Sequence, residues 1–140
     1  MFASLAIATT GMHAAAKRLE ASASNVANAR TNGPLPETPP NRPVERAGDA
    51  RSVYQPIDVV QVSSSGGGVA ARFTERLPAY QPVYDPTSPD ANDDGLLAAP
   101  NVDLAREISD QIMALAMFQA SVKVFTVASD MTKTLIDAKA

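Results

Sequence analysis

Ile108-Ser109-Asp110-Gln111-Ile112-Met113-Ala114-Leu115-Ala116-Met117-Phe118-Gln119-Ala120-Ser121-Val122-Lys123-Val124-Phe125 contains no proline and no glycine, and its apolar residues return with a helical period. Ile108, Leu115, Val122 and Ile136 keep a seven-residue spacing, with Ser129 in the remaining slot. Such a repeat marks one helix face packed along another helix. Leu104, Phe118 and Phe125 sit beside that stripe, and Ile112 and Leu135 widen the apolar surface of the helix further. A second stripe, Met117, Val124 and Met131, lies on a different face. The pattern predicts a helix from Val102 to about Ala138, roughly 55 Å long at 1.5 Å per residue. Pro100-Asn101 opens it, with Asn101 as the expected N-cap and with Asp103 and Glu107 placing negative charge at the positive end of the helix dipole. A helix with two apolar faces has more apolar surface than one partner helix covers, which marks an interaction site. A coiled-coil homodimer is one reading of that excess, and a subunit surrounded by several neighbours is the sharper one.

Outward from this segment, proline sets the boundaries. All eleven prolines lie between Pro34 and Pro100. Because proline breaks helix interiors, the chain divides into two proline-free ends and an irregular middle. The N-terminal end carries its own heptad stripe, Leu5, Met12, Leu19 and Val26, among ten alanines in the first thirty residues. Alanine favours helix and lets a second helix approach closely. The expected helix runs from Ser4 to Ala29 and stops at Asn32-Gly33-Pro34. With so few large apolar residues it needs a partner, and the C-terminal helix is the candidate.

The fold class is therefore mainly α: two long terminal helices paired as a coiled coil, with an irregular Pro/Gly-rich middle. Residues 1–33 and 101–140 form one discontinuous coiled-coil domain, and 34–100 is an insertion. Residues 34–50 read as extended or mobile. Ile57–Val62 and Val69–Glu75 read as two strands joined by Ser63-Ser64-Ser65-Gly66-Gly67-Gly68 into a short β-hairpin. The glycine run is not a phosphate loop, since no Lys-Ser/Thr and no helix follow it.

Composition excludes several classes of function. The net charge is −3, so there is no basic stripe of the kind nucleic acids require. No cysteine is present, which removes disulfides and thiolate metal sites. The first basic residue is Lys17, and the start reads as no secretory signal. Lys123 and two glutamines in 111–129 argue against a direct membrane span. His13 is the sole histidine, set among alanines, and reads as a surface or interface residue; no triad and no cofactor site can be built around it. Asp90-Ala91-Asn92-Asp93-Asp94-Gly95 matches the first half of an EF-hand loop, making Asp90, Asn92 and Asp94 candidate calcium ligands. The match fails at its twelfth position, where Asn101 stands instead of glutamate, and a polar turn held by side-chain hydrogen bonds explains the same residues. No catalytic constellation is present, and the chain reads as a non-enzyme.

Three motifs then carry a resemblance. Ser24-Asn25-Val26-Ala27-Asn28-Ala29, closing the first helix, is similar to the S-N-[LIV]-A-N-A signature of the flagellar axial proteins, which comprise rod, hook and hook-associated subunits. Tyr84-Asp85-Pro86-Thr87-Ser88-Pro89-Asp90-Ala91, with Gly95 and Pro100-Asn101-Val102, resembles the narrower Y-D-P-x-H-P-D-A, G-Y-V, P-N-V pattern of the proximal rod subunits in that family. Phe118-Gln119-Ala120-Ser121-Val122 corresponds to their Y-Q-A-N-V. Ser88, Leu96, Phe118 and Ser121 depart from the pattern, and 34–80 matches poorly. The resemblance implies a structural subunit of the periplasm-spanning rod of the basal body. It also implies type III export and helical polymerisation through the terminal helices, with partners that are copies of itself and other rod subunits. The interface residues it points to, with the heptads, are Leu5, Met12, Leu19, Asn25, Val26, Asn28, Ile108, Ile112, Leu115, Phe118, Gln119, Val122, Phe125 and Met131. A soluble coiled-coil adaptor of fixed oligomeric state and a calcium-binding module are the alternatives.

Overall fold

The computed structural model describes residues 2–44 and 51–139. The element order is α1 (Phe2–Ala27), β1 (Ile57–Ser63), β2 (Val69–Glu75), β3 (Tyr80–Tyr84), β4 (Leu96–Pro100) and α2 (Leu104–Asp137). α1 lies along α2, and its other side meets β1 and β2. The two helices run antiparallel: Ser22, late in α1, bonds to Glu107 near the start of α2, and Gly11 faces Ser121 further along. α2 has 34 residues against 26 in α1, so its last turns extend past its partner by about 12 Å.

The surfaces that join the two helices are not the stripes of large residues. Along α1 the buried positions are Ala8, Ala14, Ala15, Ala21, Ser22 and Asn25, and along α2 they are Glu107, Ala114 and Ala128. Glu107, Ala114, Ser121 and Ala128 form a heptad of their own, made mostly of small side chains. Small residues bring the helix axes close, and a Cβ added at Gly11 would stand 2.7 Å from Ser121 Oγ. Leu19, Val26, Ile108, Leu115, Val122 and Ile136 are exposed instead. Within one chain the expected stripe therefore lies beside the seam rather than in it.

Both helix boundaries shift from expectation. α1 ends at Ala27, where Asn28 Nδ2 bonds back to the Ser24 carbonyl at 2.9 Å. α2 is capped by Asp103, not Asn101: the Asp103 carboxylate accepts from the amides of Ala105 and Arg106. A carboxylate at an N-cap also meets the helix dipole favourably, so Asp103 does what was assigned to Asn101. Asn101 is occupied elsewhere. Its Nδ2 donates to the Pro78 carbonyl, its Oδ1 accepts from Gln81 Nε2, and its amide donates to the Ala79 carbonyl.

The middle holds more structure than a single hairpin. β1 and β2 pair antiparallel from Ile57↔Glu75 to Ser63↔Val69, as the alternation predicts. A second antiparallel pair, β3 with β4, runs from Tyr80↔Pro100 to Tyr84↔Leu96. Its signal is weak in the sequence because Pro82 interrupts one strand and the alanines of the other have low strand propensity. Around this pair sits a small core of Val53, Ala79, Tyr80 and Ala98, with Leu35 and Val44 packed against it. The described part of the proline-rich tract is wrapped onto that core rather than extended. Tyr80 Oη donates to the Thr38 carbonyl at 2.7 Å, Ala79 N–H to the Pro40 carbonyl, and Val44 N–H to Gln55 Oε1. Gly33 and Ala98 exchange two backbone bonds, tying the exit of α1 to β4. Residues 45–50 of the expected extended tract lie outside the described residues.

Candidate assembly surface

Where α1 ends and α2 begins, a buried polar cluster fixes the angle between the helices and the hairpin. Asn25 is fully buried and makes four hydrogen bonds. Its Nδ2 donates to the Ile57 carbonyl at 2.8 Å and to Glu107 Oε1 at 3.1 Å. Its Oδ1 accepts from the Ile57 amide at 2.9 Å and from Tyr54 Oη at 3.0 Å. One carboxamide thus serves as a strand partner for the start of β1 while reaching α2. Asn25 is in this sense the joint of three elements.

Glu107 completes the cluster. It is 1% exposed and accepts from Arg76 Nη1 at 2.7 Å, while the rest of that guanidinium bonds Asp58 Oδ1 at 2.6 Å through Nη2 and 3.1 Å through Nε. Burial alone would push the Arg76 pKa down, but the hydrogen bonds and charges of Asp58 and Glu107 outweigh it and raise the pKa. The guanidinium therefore stays charged, and the buried pair is satisfied on both sides, which a buried ion pair requires. Arg18 and Asp110 extend the network one turn along the seam, at 3.0 Å. Arg76, Glu107 and Asp58 were not legible as a site, and Glu107 was read only as a helix-dipole charge. The signal that marks it is its place as first member of the Glu107-Ala114-Ser121-Ala128 repeat.

The loop motif proves to be the turn between β3 and β4. Asp85 Oδ1 accepts from the Thr87 hydroxyl at 2.7 Å and from its amide at 3.1 Å, and these bonds hold the Asp85 carboxyl below its usual pKa. Asn92 Oδ1 accepts from the amides of Asp94 and Leu96. That oxygen, a calcium candidate, is thus turned to the backbone of its own loop. Asp90 N–H bonds to Ser88 Oγ. Among the described residues no group of three His, Asp or Glu gathers as a metal would need. Gly95 has φ +74°, and a Cβ there would stand 2.8 Å from the Tyr84 ring and 3.2 Å from Pro86 Cβ. Backbone conformation and space both call for glycine. Pro100 is buried, and Pro89 is on the surface. The motif residues build one tight turn and the anchor that leads into α2.

The remaining interface candidates lie on the outside. Leu5, Met12 and Asn28 are half-buried; Leu19, Val26, Ile108, Ile112, Leu115, Phe118, Gln119, Val122, Phe125 and Met131 are exposed. His13 is exposed too. Ile112 is 64% exposed, and Leu115 and Met131 are each 55% exposed. The most apolar window of α2 reaches a mean hydropathy of 1.5, long and apolar enough to cross a membrane by length and composition, yet only 11% of it is buried. These residues form two flanks on α2. One carries Ile108, Ile112, Leu115, Phe118, Val122 and Phe125; the other carries Met113, Val124, Val127, Met131 and Leu135, with the small-residue seam between them. At 100° per residue, Leu115 and Met131 point about 160° apart. Such continuous apolar surface on two sides is far beyond scattered exposed residues.

Residues 5–34 match the family described as flagella basal body rod protein, and residues 93–138 match the C-terminal family described as flagellar basal body rod FlgEFG protein. The matched stretches hold most of α1 and α2, the Asn25–Glu107 joint and the Gly95 turn, and they omit the hairpin. The chain is 34% identical to the flagellar basal-body rod protein FlgC of Salmonella typhimurium, covering 92% of this chain and 91% of that one. It is 30% identical to the FlgC of Bacillus subtilis over 86% of each, and 28% identical to that of Aquifex aeolicus over 99% of this chain and 96% of its relative.

Proposed function

Since this chain belongs to the FlgC family of flagellar basal-body rod proteins, we propose that it polymerises helically within the rod through the outer faces of its helix pair. It is a structural subunit of the flagellar basal body, not an enzyme, and assembles there with other rod proteins. The observation that carries the finer reading is the pair of apolar flanks on α2, on opposite sides of a seam already filled by α1. A closed two-fold dimer uses one self-complementary patch and would leave the second flank bare. Two different faces on one subunit instead meet head to tail, and such contacts continue along a helix when they do not close. In this reading α1 and α2 form one discontinuous coiled-coil unit in the inner layer of the tube. Residues 34–100 stand outside it, held at a fixed angle by Asn25, Arg76 and Glu107. The subunit belongs to the proximal part of the rod and reaches it unfolded through the type III export apparatus.

Deletion of the gene, followed by complementation with the parent or with Leu115→Asp, tests this reading. The parent restores basal bodies with a rod and motility. Leu115→Asp gives a chain that folds yet builds no rod, because a charge buried without a partner at a subunit contact costs several kcal/mol. Normal motility with Leu115→Asp would refute the assignment of this flank to subunit contacts.

A further inference from the structure

The two flanks are built differently, one hollow lying between α1 and α2 and the other open along α2 alone, and the difference assigns which part of one meets which part of the other. Beside the seam, Ala15, Ala16 and Leu19 of α1 and Ala114, Leu115 and Phe118 of α2 enclose an apolar hollow of about 280 Å³. Its floor is alanine because the seam is alanine, and its walls are the large residues of the first flank. On the other flank, toward the end of α2 that runs past α1, Val127, Met131 and Leu135 stand four residues apart, bordering with Asp130 and Thr134 a more open groove of about 470 Å³ on the same helix. They are 55–59% exposed. Side chains spaced by four form the ridge that packs into a groove on a facing helix. We propose that the Val127-Met131-Leu135 ridge of one subunit seats in the Leu19-Leu115-Phe118 hollow of a second copy of this chain.

This inference rests on the rod assignment, which places copies of the chain side by side, and it goes further by fixing the register between them. Hollow and ridge cannot meet within one chain, because they lie about fifteen residues apart on the same helix, roughly 22 Å along its axis. They can meet between two copies whose α2 helices run parallel and are offset by that distance. Met131 then enters the hollow between Leu115 and Phe118, and Val127 comes to the level of Ile112. A hollow of this volume takes one or two large side chains, the size of a Met with a flanking Leu or Val. Since the two faces point about 160° apart, the copy that offers its ridge keeps its own hollow open for the next.

The chain has no cysteine, so introduced pairs report the contact without background. Two differently tagged full-length copies are expressed together in the deletion strain, one carrying Phe118→Cys and the other Met131→Cys. Basal bodies are isolated, oxidised and probed for an adduct bearing both tags. Val127→Cys with Ile112→Cys, fifteen residues apart in sequence against thirteen for the first pair, serves as a second, independent pair close to the same offset. All four positions are exposed in the single chain, so the substitutions leave its seam intact. Disulfides require Cα atoms within about 7 Å, which makes the adduct a test of register. Both mixed pairs are expected to cross-link, while 118 with 118 and 131 with 131 do not. Basal bodies that contain the chain but give no mixed adduct overturn this register and leave the rod role standing. So does an adduct of the Met131→Cys copy with a different rod protein alone. Motile cells whose basal bodies lack the chain overturn the rod assignment and this contact together.

Discussion

Replacing Asn25 with alanine tests whether the signature asparagines of α1 are a joint or a surface. The side chain makes four hydrogen bonds, but they do not all leave an orphan when it is removed. Tyr54 Oη keeps Ser24 Oγ at 2.9 Å, and Glu107 Oε1 keeps Arg76 at 2.7 Å. The amide and carbonyl of Ile57 both lose Asn25 as partner. Two part-buried backbone groups left unsatisfied cost about 1–3 kcal/mol each, with water recovering some of it, so the expected loss is roughly 2–5 kcal/mol. Against a total stability of about 5–15 kcal/mol this is a large fraction. Asn28→Ala is the internal control. Among the described residues its side chain bonds the Ser24 carbonyl one turn back and the Thr31 hydroxyl at 3.3 Å, at the half-exposed helix exit, so its loss costs about 1 kcal/mol or less. Asn25→Asp preserves shape but removes the Nδ2 donor and sets a carboxylate beside Glu107, and it is expected to be at least as damaging as alanine. Urea unfolding of the purified variants, followed by far-ultraviolet circular dichroism, measures the three free energies. Equal losses for Asn25→Ala and Asn28→Ala, or a stable Asn25→Asp, would refute the joint and make the motif a matter of subunit contacts alone.

Three further outcomes follow from the same geometry. Ala114→Leu overfills the seam and is expected to lower the stability of the isolated chain by about 1–3 kcal/mol, whereas Leu115→Asp, one residue on but exposed, changes it by less than about 0.5 kcal/mol and abolishes assembly; thermal melts set beside rod formation in cells check both halves. Glu107→Gln leaves Arg76 paired with Asp58 alone and costs about 1–3 kcal/mol, read from urea midpoints. Asp85 is held below its ordinary carboxyl pKa of 3.8 first by the Thr87 hydroxyl and then by its amide. A depressed carboxyl stabilises the fold above its unfolded pKa and loses that contribution as pH falls through the folded value; carboxyl NMR is expected to show Asp85 titrating below 3.8, and Thr87→Ala to move the midpoint back up.

What the sequence disclosed and what it hid divide along a physical line. Periodicity and proline placement are local, and they located both helices to within a few residues and the first hairpin almost to the residue. The second strand pair escaped because Tyr80–Tyr84 contains Pro82 and Leu96–Pro100 is built on Ala98 and Ala99, so neither shows the alternation of a strand; their pairing depends on Gly33 and Asn101 holding them from outside. The more instructive difference concerns the heptads. A seven-residue repeat of large apolar residues normally marks the surface where two helices meet. Here each helix carries a small repeat beside its large ones, one large stripe on α1 and two on α2, and the small one forms the seam within the chain. Alanine at Ala8, Ala15, Ala114 and Ala128 gives little apolar area to bury, so this seam alone stabilises the pair weakly. The buried Arg76–Glu107 pair and the Asn25 joint supply geometry rather than apolar area at its end. Under the proposed assembly the large residues are left for other chains, where the greater gain in burial accompanies assembly and not folding. For a rod subunit assembled as proposed, that ordering has a direct consequence: the strongest apolar interaction available to the chain is withheld until a neighbour is in place.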